Sequence, residues 1–240
     1  MTKLLYLDDF NVTSCTAKVT AVSQHEGKDV LELDQTCFYP KGGGQDFDTG
    51  VIEDANANVF NVEAAFFVDG VVKHIGSFAG GKFGYDDSVQ CNVDETRRDI
   101  NTMIHSAGHV IDMAIRSIGY EWHPGKGAHY PDMAFVEYSG EYDGENKDNY
   151  VSEIQTAVDS LLTSGSTNRI AFMDADEMKN HGAVVPENIP KDKPSRVMMY
   201  DDFAVPCGGT HVQNISDTGT IRVTKIKKKG GEIRVSYSVG

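Results

Sequence analysis

Two short motifs, His105-Ser106-Ala107-Gly108-His109 and Cys207-Gly208-Gly209-Thr210-His211, carry paired donor residues at the same four-residue step, about a hundred residues apart. Three imidazoles and one thiolate form a ligand set that suits Zn²⁺. If the four share one ion, His105, His109, Cys207 and His211 force two distant stretches of chain to converge. No other feature limits the fold as strongly.

The first pair sits in a helical pattern. Ile100, Met103, Ile104, Ala107, Ile111, Ala114, Ile115 and Ile118 recur at helical spacing, Asp94 is a fitting N-cap and Gly119 a fitting stop. Residues i and i+4 share a helix face, so His105 and His109 point the same way, at the margin of the apolar stripe. Asp112 follows His109 by three. It is placed either to orient an imidazole or to lie at the surface, and the surface reading is the simpler one. The second pair cannot be helical, because Gly208-Gly209 disfavours a helix. Those glycines instead predict a sharp turn that presents two ligands.

Residues 1 to 92 read as mostly β, with runs such as Ala17–Val22, Val30–Leu33 and Val59–Val62 between Gly-, Asp- and Asn-rich turns. That spacing predicts a small antiparallel barrel-like domain. Residues 93 to 240 read as an α/β sandwich, with helices on one face of an antiparallel sheet, giving an α+β class overall. A second helix is expected over Tyr150–Thr163, preceded by an acidic loop from Gly140 to Asn149. Pro124-Gly125-Lys126-Gly127 reads as a turn flanked by His123 and His129, two histidines read as structural. Arg169–Met173 and Arg196–Tyr200 are expected strands, and Gly230-Gly231 the turn of a terminal hairpin.

Hydrophobic residues make up 40% of the 240-residue chain, which excludes global disorder. No stretch reaches the roughly 20 apolar residues of a membrane span, and Met1–Asp9 does not read as a secretory signal. A cytoplasmic protein with no membrane partner is expected. Cys15, Cys37 and Cys91 read as buried thiols. The net charge of −14 argues against nucleic acid. Residues 221–240 nevertheless carry a local charge of +5, from Arg222, Lys225, Lys227, Lys228, Lys229 and Arg234 against Glu232. By charge alone a solvated Lys-rich hairpin is the simpler reading, although such an edge can grip a phosphate backbone.

Two metal chemistries fail on specific positions. A zinc-protease helix needs glutamate directly after the first histidine, where this chain has Ser106. The nucleobase-deaminase signature is absent as well. What the motifs resemble is AlaX, the family of free-standing alanyl-tRNA editing proteins related to the editing domain of alanyl-tRNA synthetase. The resemblance rests on both metal motifs, on Phe38-Tyr39-Pro40-Lys41-Gly42-Gly43-Gly44-Gln45 with Asp48-Thr49-Gly50, and on Pro124–Gly127 running on to His129–Asp132 and Val136–Tyr138. It spans nearly the whole chain.

The resemblance implies a hydrolase of mischarged aminoacyl-tRNA, Ser-tRNA(Ala) and in addition Gly-tRNA(Ala), with one Zn²⁺ per chain on His105, His109, Cys207 and His211. Gly42, Gly43, Gly44 and Gln45 would help form the editing pocket, and tRNA would be the partner. Gln45 and Thr210 are the candidate catalytic polar groups, with Ser106 a further hydroxyl near the metal; a packing role for Thr210 and Ser106 fits the residues equally well. Lys126 and the 225–229 lysines are the candidate phosphate contacts. Two other readings stay open: a non-catalytic tRNA-binding module with structural zinc, and an editing hydrolase for Ser-tRNA(Thr).

Overall fold

A computed structural model describes residues 1–181, 183–185, 189–190 and 193–240. The chain forms two compact units, Met1–Ile100 and Asn101–Gly240. It is mostly β with few helices, in keeping with the α+β class.

The first unit contains β1 (Lys3–Leu4), β2 (Ser14–His25), β3 (Lys28–Leu33), β4 (Gln35–Thr36), β5 (Gly50–Asp54), β6 (Val59–Val68), β7 (Val71–Ala79) and β8 (Ser88–Val93). Six of these close into a barrel in the order β2-β3-β7-β6-β5-β8. The cause is visible in the alternation. Ala17, Val19, Leu31, Leu33, Ile52, Phe60, Val62, Val89 and Cys91 turn inward as one core, and along β2 and β8 they alternate with more exposed neighbours. Each large apolar side chain buried this way contributes about 1.5–3 kcal/mol. Cys37 and Cys91 are buried, Cys15 is half-buried, and all three are free thiols.

α1 (Glu95–Ser117) starts in this unit. Asp94 caps it, accepting from the Arg97 N–H at 3.1 Å. Arg98, 2% exposed, grips Asp48 through Nε at 3.1 and 3.0 Å and donates to the carbonyl of Cys37 at 2.7 Å. Every charge in this buried pair is hydrogen-bonded, the condition under which burial is tolerated.

The second unit adds β9 (His123–Tyr130), β10 (Met133–Ser139), α2 (Lys147–Ser164), β11 (Asn168–Met173), α3 (Ala175–Asn180), β12 (Ser195–Tyr200), β13 (Phe203–Pro206), β14 (Ile221–Lys229) and β15 (Glu232–Val239). An antiparallel sheet runs β14-β15-β10-β9, and a smaller one β11-β12-β13. In the larger sheet Ala134, Val136 and Tyr138 stand opposite Tyr237, Val235 and Ile233, all buried on one face. The other face carries the Arg234–Glu137 ion pair at 2.5 Å, with the guanidinium 3.7 Å from the centre of the Phe135 ring. Gly230 and Gly231, with φ of 62° and 95°, make the terminal hairpin turn.

Three local expectations need correction. Pro124–Gly127 is not a turn but part of β9, paired with β10 through Gly127↔Val136 and Pro124↔Tyr138. The acidic loop ends earlier than expected, because α2 already begins at Lys147. Ile100, assigned to the apolar stripe, is 38% exposed, and the buried stripe starts at Ile104.

Candidate metal centre

α1 presents His105 and His109 one turn apart, and the turn after β13 presents Cys207 and His211. Their ligand atoms all lie within 4.8 Å of one another, the one such His/Cys cluster among the described residues. Cys207 Sγ is 3.5 Å from His105 Nε2. The residues fit a metal on two grounds. The donor set is three nitrogens and one sulfur, and His109 has no hydrogen-bond partner for either buried ring nitrogen.

The histidines are deeper than the margin position expected of them: His105 and His211 are 1% exposed and His109 8%. The covering groups come from other elements. Tyr200, at the end of β12, lies with its hydroxyl 2.9 Å from His211 Nδ1. With Nδ1–H donating to the phenol oxygen, Nε2 keeps its lone pair for a cation. Arg196 Nη1 donates to the carbonyls of Cys207 at 2.6 Å and Gly209 at 3.2 Å, holding the ligand turn. The Gly209 N–H donates to Cys207 Sγ at 3.4 Å.

Asp112 is not a surface acid. Its carboxylate lies 3.6 Å from His109 Nδ1 and accepts a hydrogen bond from Tyr138 Oη. Ser106 and Thr210 join the two ligand-bearing segments. The Val212 N–H donates to Ser106 Oγ at 3.0 Å, and Thr210 Oγ1 is 2.6 Å from Thr102 Oγ1. His129 packs against His105 with ring centres 4.9 Å apart, and its Nδ1 is 2.6 Å from Tyr237 Oη, which donates to the Ile104 carbonyl. A Cβ on Gly108 would sit 2.5 Å from the His129 ring, and one on Gly127 2.4 Å. Those two glycines leave the space that this ring fills.

Electrostatics prepare the ligands. Burial holds His105 well below the usual imidazole range, and the His211, His129 and His109 rings push it the same way. Burial, then His109 and Arg196, do the same for His211. Burial and His109 bring His129 down to about 3. For His109 burial opposes the charged form, but Asp112 and Cys207 outweigh it and lift it to about 9. Burial also opposes the Cys207 thiolate, yet His109 prevails and the thiol is lowered. His105 and His211 are thus held neutral and the Cys207 thiolate is favoured, as metal binding requires, while His109 must give up its proton for a cation to bind.

The remaining candidates lie elsewhere. Gly42–Gln45, in the first unit, is a tight turn with paired backbone groups, Gln45 N–H to Gly42 O at 2.9 Å and the reverse at 3.2 Å. Positive φ at Gly43 and Gly44 makes glycine necessary there. Gly42 and Gly43 are exposed, and Gln45 is fully buried. Lys126 is exposed on β9, whereas Lys225 and Lys227–Lys229 are exposed on β14, at the opposite edge of the same sheet.

Residues 196–234 match the family described as threonyl and alanyl tRNA synthetase second additional domain, and residues 8–97 match tRNA synthetases class II (A). Over its whole length the chain is 32% identical to an alanine–tRNA ligase of Sulfurisphaera tokodaii and 31% identical to one of Methanobrevibacter smithii. It spans about a quarter of those relatives, 26% and 27% of their lengths. The chain is thus similar to alanine–tRNA ligases along its whole length, and two of its stretches match domain families of aminoacyl-tRNA synthetases.

Proposed function

We propose that this chain is a deacylase that hydrolyses the ester of mischarged Ser-tRNA(Ala), and of Gly-tRNA(Ala) in addition, with one Zn²⁺ held by His105, His109, Cys207 and His211. The observation that carries this reading is the ligand cluster itself, four donors within 4.8 Å in a chain related throughout to alanine–tRNA ligases. When bound, zinc supplies a fixed positive charge that either activates water or positions the substrate.

The chain's own residues supply the rest. Tyr200 and Asp112 orient His211 and His109. Arg196 and the Thr102–Thr210 contact hold the ligand turn against α1, so Thr210 serves by fixing that turn beside the reacting group. Gln45 and the Gly42–Gly44 backbone are the proposed polar contacts for substrate. The β14 lysines at one edge of the sheet and Lys126 at the other are the proposed phosphate contacts, which let a chain of net charge −14 approach tRNA through local basic groups. The proposed setting is the cytoplasm; among the described residues no helix is long and apolar enough to cross a membrane.

One observation favours a second reading. Four protein ligands, three of them nearly inaccessible, resemble a closed structural zinc site. Deacylation separates the two. The zinc-loaded protein is expected to clear Ser-tRNA(Ala) and spare Ala-tRNA(Ala), and His105→Ala to slow clearance by roughly 100-fold or more. Clearance of neither substrate would establish the binding module instead, and clearance of both would remove amino-acid discrimination. Preference for Ser-tRNA(Thr) would assign the threonyl type.

A further inference from the structure

Of the four cysteines in the chain, only Cys207 belongs to the metal centre. The other three converge inside the first unit. Cys15 lies on β2, Cys91 on β8, and Cys37 directly after β4. Cys15 and Cys91 stand directly opposite each other on paired antiparallel strands. Hydrogen bonds join all three side chains. Cys37 and Cys91 are fully buried, whereas Cys15 is half-buried and is therefore the one a small solute reaches.

Packing alone does not ask for sulfur at these positions. Ala17 and Val89, on the same two strands, fill the same core without it. Three thiols in contact add a chemistry that alanine and valine lack, because they share protons and electrons. The bonds from Cys37 and Cys91 hold the Cys15 thiol well below its usual range, and the bonds with Cys15 push the other two up. The thiolate is the form that attacks an electrophile. The strand register supplies the second requirement. Opposed residues of an antiparallel pair have Cα atoms about 4.5–5.5 Å apart, within the range of about 4.4–6.8 Å that a disulfide spans.

We propose that Cys15 and Cys91 form an oxidant-sensitive pair in the barrel, with a hydroperoxide as the oxidant and a disulfide as the product. The Cys15 thiolate attacks one peroxide oxygen; an S–O bond forms as the O–O bond breaks, leaving a sulfenic acid and hydroxide. Cys91 then attacks the Cys15 sulfur; the S–S bond forms, the S–O bond breaks, and the oxygen leaves as water with the Cys91 proton. Two thiols are oxidised and one peroxide is reduced. β2 and β8 are the first and last barrel strands in chain order, and they pair with each other. The disulfide therefore closes the barrel where its two ends meet, with nearly the whole unit inside one loop. A crosslink over a long loop removes much of the freedom of the unfolded chain, so oxidation stabilises this unit.

The test treats the zinc-loaded full chain with a small excess of hydrogen peroxide, unfolds it in N-ethylmaleimide and maps the peptides by mass. A Cys15–Cys91 crosslink that has lost two hydrogens, with Cys37 alkylated, is the expected product. Thermal unfolding of the oxidised chain should shift up by about 5–10 °C, revert with dithiothreitol and be absent in Cys91→Ser. The mapping needs no variant, so a Cys91→Ser chain that fails to fold leaves the test intact. Cys15 carried on to sulfinic or sulfonic acid while Cys91 is alkylated would overturn the proposal, since the second thiol would then not resolve the first. Alkylation of all three after peroxide, a crosslink to Cys37, or an unfolding temperature that falls on oxidation would overturn it as well.

Discussion

Tyr200 shows how much one side chain outside the ligand set can matter. Its hydroxyl, 2.9 Å from His211 Nδ1, engages that ring nitrogen and fixes the ring, so that a cation is bound through Nε2. Tyr200→Phe keeps the ring and its packing and removes that contact. Zinc affinity, read by competition with a chromophoric chelator, is expected to fall about 10–100-fold with the fold intact. An unchanged affinity would show that the hydrogen bond does not orient the ligand. Sequence reasoning missed Tyr200 because only the ligands carry a motif. A signal was nonetheless present: Val197 to Tyr200 is a strand buried on both faces, and a buried tyrosine hydroxyl needs a partner. Asp112 was legible as an option by its i+3 spacing, but choosing between imidazole and solvent required knowing that Tyr138 on β10 lies over it.

At the scale of elements, the periodic ones were readable and the irregular ones were not. α1 and the terminal hairpin follow from the 3.6-residue stripe and from Gly230-Gly231. β9 did not, since Pro124-Gly125-Lys126-Gly127 has the composition of a turn. It is a strand through its pairing with β10, and Gly127 is there because a side chain would collide with the His129 ring, a requirement set by packing and not by local preference. The barrel strands hold a polar residue whose titration is testable. His74 on β7 is fully buried, with Nδ1–H donating to Leu31 O at 3.0 Å and Nε2 accepting from Thr36 Oγ1 at 2.9 Å. Burial first of all lowers its pKa to about 4. A group depressed on folding favours the neutral form, so its stabilising effect is whole above the unfolded value of about 6.5. It is lost as pH falls toward 4, by about 3 kcal/mol over the full window. Urea unfolding at pH 7, 5.5 and 4 should show wild type losing more stability on acidification than His74→Gln. Equal losses would mean that His74 is protonated in the folded barrel.

Over the whole molecule, charge is segregated and the ligand motifs are not. The strongly acidic body and the lysine-bearing β14 edge were both legible in composition, but that Lys126 stands at the other edge of the same sheet was not. Strand order is set by non-local pairing, which no local pattern encodes. The convergence of the two motifs was inferable from chemistry alone, because a thiolate and three imidazoles have few other reasons to recur at matched spacing. The central claim is that these four side chains hold one zinc ion together. X-ray absorption of the zinc-loaded protein tests it most directly. The account predicts one zinc per chain with three nitrogen neighbours at about 2.0–2.1 Å and one sulfur at about 2.3 Å. A shell without sulfur, or a protein that retains no zinc, would contradict it.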